Sequence, residues 1–423
     1  GEPGVYRVVV EYSQEPVGRL ALELAQALCR NALDDTPFEP GTAVAKVREL
    51  DEDQRLGPST GAIVAAAVAR GIPYRRLTEG SLVQFGWGSR QRRIQAAEMD
   101  CTGAIAESIA QDKELTKSLL HDAGIPVPRG RPANDARDAW VAAREIGLPV
   151  VVKPRYGNQG KGVAVNLSTR EQIMDAWSRA AEYDAEVMVE KYLPGNDFRL
   201  LIVGDRMVAA ARRDPPLVIG DGVHTIAELI DRLNADPRRG DGHGMPLTRI
   251  RLDEVALARL ATAHYTPDSV PPPGERVILR NNANLSTGGA ATDVTDEVHP
   301  ELAARVVAAA QTIGLDICGA DVVCSDISRP LEDQHGGIVE VNAAPGLRMH
   351  LSPSYGKGRP VGEAIVSALF ADGEDGRIPV VAVTGTNGKT TVVRLIAHLA
   401  SGVGHRVGMT NSDGIYIGRK RID

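Results

Sequence analysis

Residues 150–166 read VVVKPRYGNQGKGVAVN and combine two short strands with a glycine-rich turn. Residues 150–153 are typical of a buried strand, and residues 163–166 are typical of a second strand. Backbone N–H groups of such a turn can surround an anion, and Lys153 and Lys161 add positive charge beside it. The segment therefore predicts a phosphate-binding hairpin whose turn contributes Gly157, Gln159, Gly160 and Gly162. Taken alone, these features also fit an ordinary surface turn with a lysine at a strand end.

A second polar segment, EKYLPGND, starts at Glu190, where the predicted strand 186–190 ends. Backbone groups of Lys191 and Leu193 are placed to pair with the edge of an adenine ring, and Glu190 is placed to accept from its exocyclic amine. Asp197, which follows the Pro-Gly turn, is placed to bind ribose hydroxyls. The alternative for each carboxylate is a solvated side chain at the end of a strand.

Carboxylate and amide side chains interrupt two apolar strands, CGADVV with Asp321 and GIVEVNAAPG with Glu340 and Asn342. Residues two apart on a strand share one face, so Glu340 and Asn342 point the same way. Burial of such groups without partners is unfavourable. Because Mg²⁺ prefers oxygen ligands, the three residues are predicted to bind Mg²⁺.

These features resemble the ATP-grasp superfamily of carboxylate–amine ligases. The resemblance rests on the order of Lys113, Lys153, the glycine loop, the adenine-edge segment and the metal residues. It implies that ATP and Mg²⁺ are bound and that ATP phosphorylates a carboxylate, after which an amine displaces the phosphate to give an amide. Positioning and charge neutralisation are then the main tasks of the protein.

An acidic substrate and a transferring phosphate call for arginines, because a guanidinium group makes bidentate contacts with oxyanions. The candidates are Arg199, Arg212, Arg213, Arg280 and Arg348, of which Arg199, Arg212 and Arg280 are expected to be catalytic. The polar loop NNANLSTGG after Arg280 is predicted to hold the acyl phosphate and the incoming amino acid, unless it is an ordinary surface loop. The expected substrate contacts are Asn284, Ser286, Thr287, Gly288, Gly289, Arg348 and His350.

A second phosphate-binding motif lies near the end of the chain, where residues 380–391 read VVAVTGTNGKTT. A buried strand (380–384), a glycine loop and a helix (390–400) form the context of a P-loop, whose backbone N–H groups bind phosphates. The expected contacts are Gly385, Thr386, Asn387, Gly388, Lys389, Thr390 and Thr391. The short GTNGKTT form resembles the Mur ligases.

The pattern predicts an α/β and α+β multidomain protein, and the resemblance implies that an ATP-grasp fold is flanked by two smaller regions. The expected boundaries are 1–97 for a partial N-terminal α/β domain, 98–370 for the ATP-grasp domain, 371–379 for a linker and 380–423 for the start of a Mur-ligase-like domain. Within the first region, residues 5–12 alternate like a strand. Capping boxes are predicted at Ser168 with Glu171 and at Thr225 with Glu228.

The composition excludes several classes of protein. The net charge of −7 argues against a general nucleic-acid binder, and no apolar stretch is long enough to span a membrane. No signal peptide is evident, and the four scattered cysteines fit a reducing cytoplasm.

An ATP-grasp region followed by a Mur-like P-loop resembles the cyanophycin synthetases. The similar segments include GPSTGAIVAAAVARGIPYRRL, RRIQAAEMD, DKELTKSLLHDAGIPVPRG, NLSTGG and GTNGKTT. The resemblance implies a homo-tetramer that extends a cyanophycin primer: the ATP-grasp domain adds L-aspartate to the backbone, and the Mur-like domain adds L-arginine to the aspartate side chain. The N-terminal domain is then expected to bind the polymer through Arg90, Arg92 and Arg93, although a solvated surface run is the alternative. Parts of both terminal domains are expected to be missing from this chain.

Two other interpretations remain open. One is a different ATP-grasp peptide ligase of the glutathione-synthetase or D-alanine-ligase type, because the NLSTGG loop also resembles bifunctional glutathione-forming enzymes. The other is a polymer-binding module without catalytic activity.

Overall fold

The computed structural model describes residues 6, 8–12, 14–156, 162–240, 245, 247–280, 283 and 285–423. The chain divides between Gly376 and Arg377 into two compact units. In the described part of the chain, no helix is both long and apolar enough to cross a membrane.

The first unit contains helices along its whole length. Its described helices are α1 (Glu15–Leu33), α2 (Pro40–Gln54), α3 (Pro58–Ala69), α4 (Ala104–Gln111), α5 (Lys113–Asp122), α6 (Ala136–Ile146), α7 (Arg170–Ala181), α8 (Ile226–Asn234), α9 (Glu254–Thr262), α10 (Pro300–Ile313), α11 (Arg348–Leu351) and α12 (Val361–Leu369).

Its strands form several small sheets. The described strands are β1 (Tyr74–Arg76), β2 (Leu82–Phe85), β3 (Arg92–Gln95), β4 (Glu98–Met99), β5 (Gly130–Ala133), β6 (Val150–Pro154), β7 (Ala164–Leu167), β8 (Val187–Lys191), β9 (Asn196–Val203), β10 (Arg206–Asp214), β11 (Leu217–Ile219), β12 (Arg239–Gly240), β13 (Leu247–Thr248), β14 (Arg276–Ile278), β15 (Ala290–Asp293), β16 (Ile317–Cys324) and β17 (Gly337–Asn342).

The N-terminal part of the first unit holds two helices without buried residues and a small sheet. Helices α1 and α2 pack on each other, and β1 to β4 form an antiparallel sheet in chain order. The strand predicted for residues 5–12 is wrong for the described part of that segment, residues 6 and 8–12, which has no regular secondary structure. Alternating apolar residues form a strand only where a neighbouring strand satisfies their backbone groups.

The central sheet has five antiparallel strands in the order β15-β10-β9-β16-β17. On one face, side chains such as Leu200 and Ile202 are buried against α10. On the other face, Leu201, Ala209 and Ile317 join a second core that includes α3 and α12. Charged residues occupy the remaining part of this second face, so the two cores leave one polar end of the sheet uncovered by apolar side chains.

A second sheet, in the order β5-β8-β6-β7, packs against α6 and α7. Helix α7 begins with a capping box formed by Thr169 and Gln172, one residue after the predicted pair. The capping box of Thr225 and Glu228 at α8 is confirmed. Helices α8 and α9 surround a small core with β11 and β14, and β12 pairs with β13 beside it.

The second unit contains helix α13 (Lys389–Gly402) and the antiparallel strands β18 (Gly408–Asn411), β19 (Gly414–Ile417) and β20 (Lys420–Arg421). The predicted buried strand 380–384 is wrong, because these residues form no strand and Val380 is 80% exposed. Helix α13 has no buried residue. A buried strand requires partners on both sides, whereas a helix satisfies its own backbone groups.

The turn before β9 provides a test of how closely this turn packs against the end of β16. Gly195 has a φ of +136°, and an added Cβ would lie 2.4 Å from the carbonyl carbon and oxygen of Cys324. Gly204 has a φ of +62°, but an added Cβ would meet nothing within 4 Å. We expect Gly195→Ala to lower the free energy of unfolding by about 1–3 kcal/mol more than Gly204→Ala. Urea unfolding followed by tryptophan fluorescence measures both variants, and equal losses would contradict the packing described here.

Candidate active site

Six polar side chains share the uncovered face of the central sheet; we call this set the charged face. The cross-strand register places Arg199 opposite Asp321, and Asp321 opposite Glu340. The members of the charged face are Asp197, Arg199, Arg213, Asp321, Glu340 and Asn342. Their common orientation follows from the two-residue period of a strand.

Asp321 is the centre of the charged face and is 5% exposed. Its carboxylate forms an ion pair with Arg199, and its Oδ2 lies 3.1 Å from Nη2 of Arg213. Burial alone would raise the pKa of Asp321, but the two guanidinium groups lower it below its usual value. The carboxylate is therefore held ionised. The Nε–H group of Arg213 is buried and has no hydrogen-bond partner in the described part of the chain.

Glu340 and Asn342 lie beside this ion-pair cluster on β17. The Nδ2 group of Asn342 donates to the Gly319 carbonyl oxygen at 3.2 Å. Among the described residues, no three histidine, cysteine, aspartate or glutamate side chains form a group that could hold a metal ion. A cation site on this face would therefore need the Asn342 amide as well as the two carboxylates.

A second group of buried charges lies on the flanking sheet and α5; we call Lys117, Lys153 and Glu190 the lysine cluster. The Nζ atom of Lys153 lies 2.8 Å from Glu190 Oε2, and Lys117 contacts the other carboxylate oxygen. Each side chain is at most 11% exposed. Burial and the neighbouring Lys153 lower the pKa of Lys117 to about 7. Burial would also lower the pKa of Lys153, but Glu190 raises it above its usual value.

Lys117 is not among the site residues predicted from the sequence. It lies one helical turn after Lys113 on α5, and this spacing of four residues was the available signal. The Glu190 carboxylate, which is predicted to accept from an adenine amine, forms ion pairs with two ammonium groups.

Helix α5 connects the two groups of charges. A small pocket between α5 and β17 is lined by Lys113, Lys117 and Glu340. The Nζ atom of Lys113 donates to the Arg155 carbonyl oxygen at 3.3 Å. The first turn of α5 is fixed by its cap Asp112, whose carboxylate also accepts from Arg155 at 2.9 Å. The end of β6 is thus tied to the start of the helix that carries the lysines.

Several other predicted residues have different surroundings. Arg212 lies on the opposite face of β10 from Arg213, and its Nε lies 3.2 Å from Asp214 Oδ2. Arg280 pairs with Asp253, the cap of α9. The ammonium group of Lys191 donates to the carbonyl oxygens of Gly147 and Leu148 at 2.9 and 2.8 Å. The structure therefore brings neither Arg212 nor Arg280 to the charged face.

The remaining candidates of the first unit lie around these elements. Leu193 packs near Gly337, and burial raises the pKa of Asp197. His350 is buried with no hydrogen-bond partner at either ring nitrogen in the described structure, and burial followed by the charge of Arg199 lowers its pKa to about 3. Ser286 and Thr287 belong to a 3₁₀ turn, and Gly288 packs against Ile250 before Gly289. Gly162 has a φ of +70°. Gly157, Gln159, Gly160, Lys161 and Asn284 lie outside the described residues.

The basic cluster of the N-terminal part is exposed. Arg90 ends a 3₁₀ turn, and Arg92 and Arg93 begin β3 with side chains on opposite faces. The three arginines are accessible but do not form one continuous side of the strand.

In the second unit, the P-loop is exposed and locally ordered. Gly385 and Gly388 have φ values of +144° and +76°, and Gly388 caps α13. The Nζ atom of Lys389 donates to the Gly385 carbonyl oxygen at 2.6 Å. Thr386, Asn387 and Thr391 are exposed, and the Thr390 hydroxyl lies 3.1 Å from that of Ser412.

The lysine cluster predicts a pH dependence of stability. Because the pKa of folded Lys117 is about 7, the unfolded chain binds more protons between pH 7 and the ordinary lysine pKa of about 10.4. The free energy of unfolding of the wild type should therefore rise from pH 7 to pH 9, by at most about 1.4 kcal/mol per pH unit from this residue. Lys117→Met should remove this contribution.

Urea unfolding at pH 7 and pH 9 measures the effect. Lys46→Met, which replaces an exposed lysine of α2, is the control and should keep the wild-type slope. An unchanged slope in Lys117→Met would show that Lys117 is not the titrating group.

Comparisons with known proteins show what the chain is similar to. Residues 112–205 match the protein family described as "Carbamoyl-phosphate synthase L chain, ATP binding domain". The chain is 47% identical to cyanophycin synthetase from Trichormus variabilis over 423 residues, which cover 98% of this chain and 47% of that protein. It is also 47% identical to cyanophycin synthetase from Synechocystis sp. over 421 residues, which cover 98% of this chain and 48% of the relative.

A solved structure has a related fold. The bifunctional glutathione synthetase from Pasteurella multocida aligns with a TM-score of 0.60 at 31% identity, over 78% of this chain and 46% of that chain. This chain spans about half the length of the curated relatives it matches. The chain has an ATP-grasp fold, and over nearly its full length it is similar in sequence to cyanophycin synthetases.

Proposed function

We propose that the first unit is an ATP-dependent ligase that joins a carboxylate to an amine through an acyl phosphate. The observation that carries this proposal is the pocket in which Lys113 and Lys117 face Glu340. This pocket lies between the lysine cluster, which suits phosphate oxygens, and the charged face, which suits a cation and an oxyanion. A nucleoside triphosphate with its metal ion needs both cationic partners for its phosphates and anionic partners for the metal.

The proposed reaction has two balanced steps. A carboxylate oxygen of the acidic substrate attacks the γ-phosphorus of ATP, and ADP leaves as the acyl phosphate forms. The amine nitrogen of the second substrate then attacks the acyl carbon, the carbon–oxygen bond to phosphate breaks, and the nitrogen loses a proton. Lys113 and Lys153 would neutralise phosphate oxygens in both steps.

Arg199 and Arg213 would stabilise the negative charge that develops on the acyl oxygen. Both are fixed by Asp321, so little reorganisation is needed during the reaction. The buried Nε–H group of Arg213, which lacks a partner in the described residues, is the donor that we expect to act on this oxygen.

Asp321, Glu340 and Asn342 fit Mg²⁺ by the chemistry of their donors, because all three place oxygen-bearing side chains on one face. When bound, the ion would neutralise phosphate charge and orient the transferring group. Because Asp321 already binds two arginines, we expect Glu340 and Asn342 to be the main protein ligands.

For the substrates, we propose that the first unit adds L-aspartate to the end of a cyanophycin primer. The similarity to cyanophycin synthetases supports this choice, as does the cationic side of the site. The second unit, within the full-length protein, would contribute its P-loop to the addition of L-arginine. We further propose that the protein forms a homo-tetramer. We also propose a cytoplasmic location, with which the four free cysteines agree.

A glutathione-forming ligase is the second candidate, favoured by the similarity to the bifunctional glutathione synthetase. The full-length protein would be incubated with ATP, a short primer and one of aspartate, cysteine, glycine or D-alanine, and the products would be identified by mass spectrometry. Addition of aspartate to the primer supports our proposal. Reaction of cysteine or glycine in place of aspartate would contradict it.

We expect Glu340→Gln to reduce ADP release in the presence of primer and aspartate by about 100-fold or more. The substitution removes the negative charge that would hold the metal ion beside the phosphates of ATP. The matched control is Glu332→Gln, which removes a carboxylate that pairs with Arg305 outside the site. Wild-type turnover in Glu340→Gln would show that the metal assignment is wrong.

A pair of lysine variants should separate the two units. In the full-length protein, Lys389→Ala should spare the first aspartate addition and stop arginine addition, because it removes an ammonium group from the P-loop alone. Lys153→Ala should stop aspartate addition but leave arginine addition to a primer that already ends in free aspartate. Mass spectra of the products measure both, and loss of the first aspartate addition in folded Lys389→Ala would contradict this division.

A further inference from the structure

A pocket outside the charged face lies between the end of α8, strand β13 and the edge strand β15. It has a volume of about 380 Å³ and is lined in part by Arg239, Leu247, Ala290, Ser354 and Tyr355. This space is larger than one small amino acid requires, and it is open to solvent. None of the roles proposed above uses it.

Arginines dominate the charge of this pocket, but they are not equivalent. Arg238 is neutralised by Asp236, whose carboxylate lies 2.8 Å from its Nη2 atom. Arg232 has Asp221 at 3.5 Å. Within the described part of the chain, no carboxylate forms an ion pair with Arg239; its Nη1 group donates to the Thr248 carbonyl oxygen at 2.6 Å. Arg239 is thus the cation of the pocket whose charge is least compensated.

A second guanidinium group converges on the same residue. The Nη2 group of Arg348 donates to the Thr248 hydroxyl at 3.0 Å. Burial lowers the pKa of Arg348, and the charge of Arg239 lowers it further. Two half-buried cations therefore lie near each other, and a bound anion would relieve their repulsion.

The pocket also adjoins the elements of the proposed ligase site. Ala290 begins β15, where the next residue, Ala291, pairs with Arg213 of the charged face. The backbone N–H of Ala291 donates to the Ser354 hydroxyl at 3.0 Å. Strand β13 contacts the turn Leu285–Thr287 of the predicted substrate loop. A ligand in the pocket would therefore lie one strand away from the arginine expected to act on the acyl oxygen.

We propose that this pocket is a carboxylate-binding subsite for the acidic substrate, with Arg239 as its principal cation and Arg348 beside it. A planar guanidinium group suits a carboxylate because it can donate two parallel hydrogen bonds. The inference rests on the proposed function, which supplies two sources of this chemistry: the side chains of an aspartate-containing primer and free L-aspartate.

Binding measured without turnover tests the subsite separately from the reaction. Isothermal titration calorimetry would follow acetylated tri-aspartate, free L-aspartate and ATP separately with the full-length protein and its variants. Arg239→Gln should weaken binding of at least one acidic ligand by about 10-fold or more, because a charge-assisted contact is lost. Arg239→Lys should recover only part of it, and the affinity for ATP should stay within about twofold.

Arg206→Gln is the matched control, because it removes the same charge from the exposed first residue of β10. A loss confined to tri-aspartate assigns the subsite to the primer, and a loss confined to aspartate assigns it to the incoming amino acid. Equal affinities of wild type and Arg239→Gln for both acidic ligands would overturn the proposal, as would the same loss in Arg206→Gln. If acidic ligands depend on Arg239 but mass spectrometry finds no aspartate added to primer, the proposed reaction fails and the carboxylate subsite stands.

Discussion

Asp321 lies buried on strand β16, where an ionised carboxylate without partners would be strongly unfavourable. Arg199 on β9 and Arg213 on β10 offset that cost by forming ion pairs with Asp321. Both guanidinium groups must therefore lie on the same side of the sheet as Asp321. Such a cluster is weak evidence for stability, because replacement by apolar residues is often tolerated. The cluster instead determines where apolar packing ends. One apolar core covers the opposite face of the sheet, and the second covers only the far end of the face that carries Asp321. This polar end is largely buried but is not covered by an apolar core, and it is where we expect a ligand to bind.

The lysine cluster is built in the same way, because one buried carboxylate is again held by two cationic side chains. Glu190 is shared by two ammonium groups, so one positive charge is left over when both lysines are protonated. Because burial lowers the pKa of Lys117 to about 7, this lysine should lose its proton most easily when no anion is near and regain it beside an anion. The two sheets thus present unequal charges across α5, an arrangement that favours a ligand with both anionic and cationic parts.

The sequence predicted what depends on local pattern. The two-residue period placed Glu340 and Asn342 on one face, and this face also carries Asp321. At α7 two overlapping capping patterns are possible, and the structure uses Thr169 with Gln172; the pattern alone could not choose between them. Arg212 and Arg213 are adjacent, so only the strand register decides which of them shares the face of Asp321. The ion pair of Lys117 with Glu190 joins elements far apart in sequence, so the partner of this lysine could not be predicted from the local pattern.

The second unit separates local from distant determinants most clearly. The turn of its P-loop forms because Gly385 and Gly388 adopt positive φ values and the Lys389 ammonium group satisfies a loop carbonyl. Helix α13 then satisfies its own backbone from Lys389 onward. Residues 380–384 cannot satisfy their own backbone groups in this way, because a strand forms only beside a partner strand. The described sheet of this unit consists of β18, β19 and β20 and does not include them. The glycine turn and the strand that was expected to support it therefore have separate physical requirements, and the sequence motif specifies only the turn.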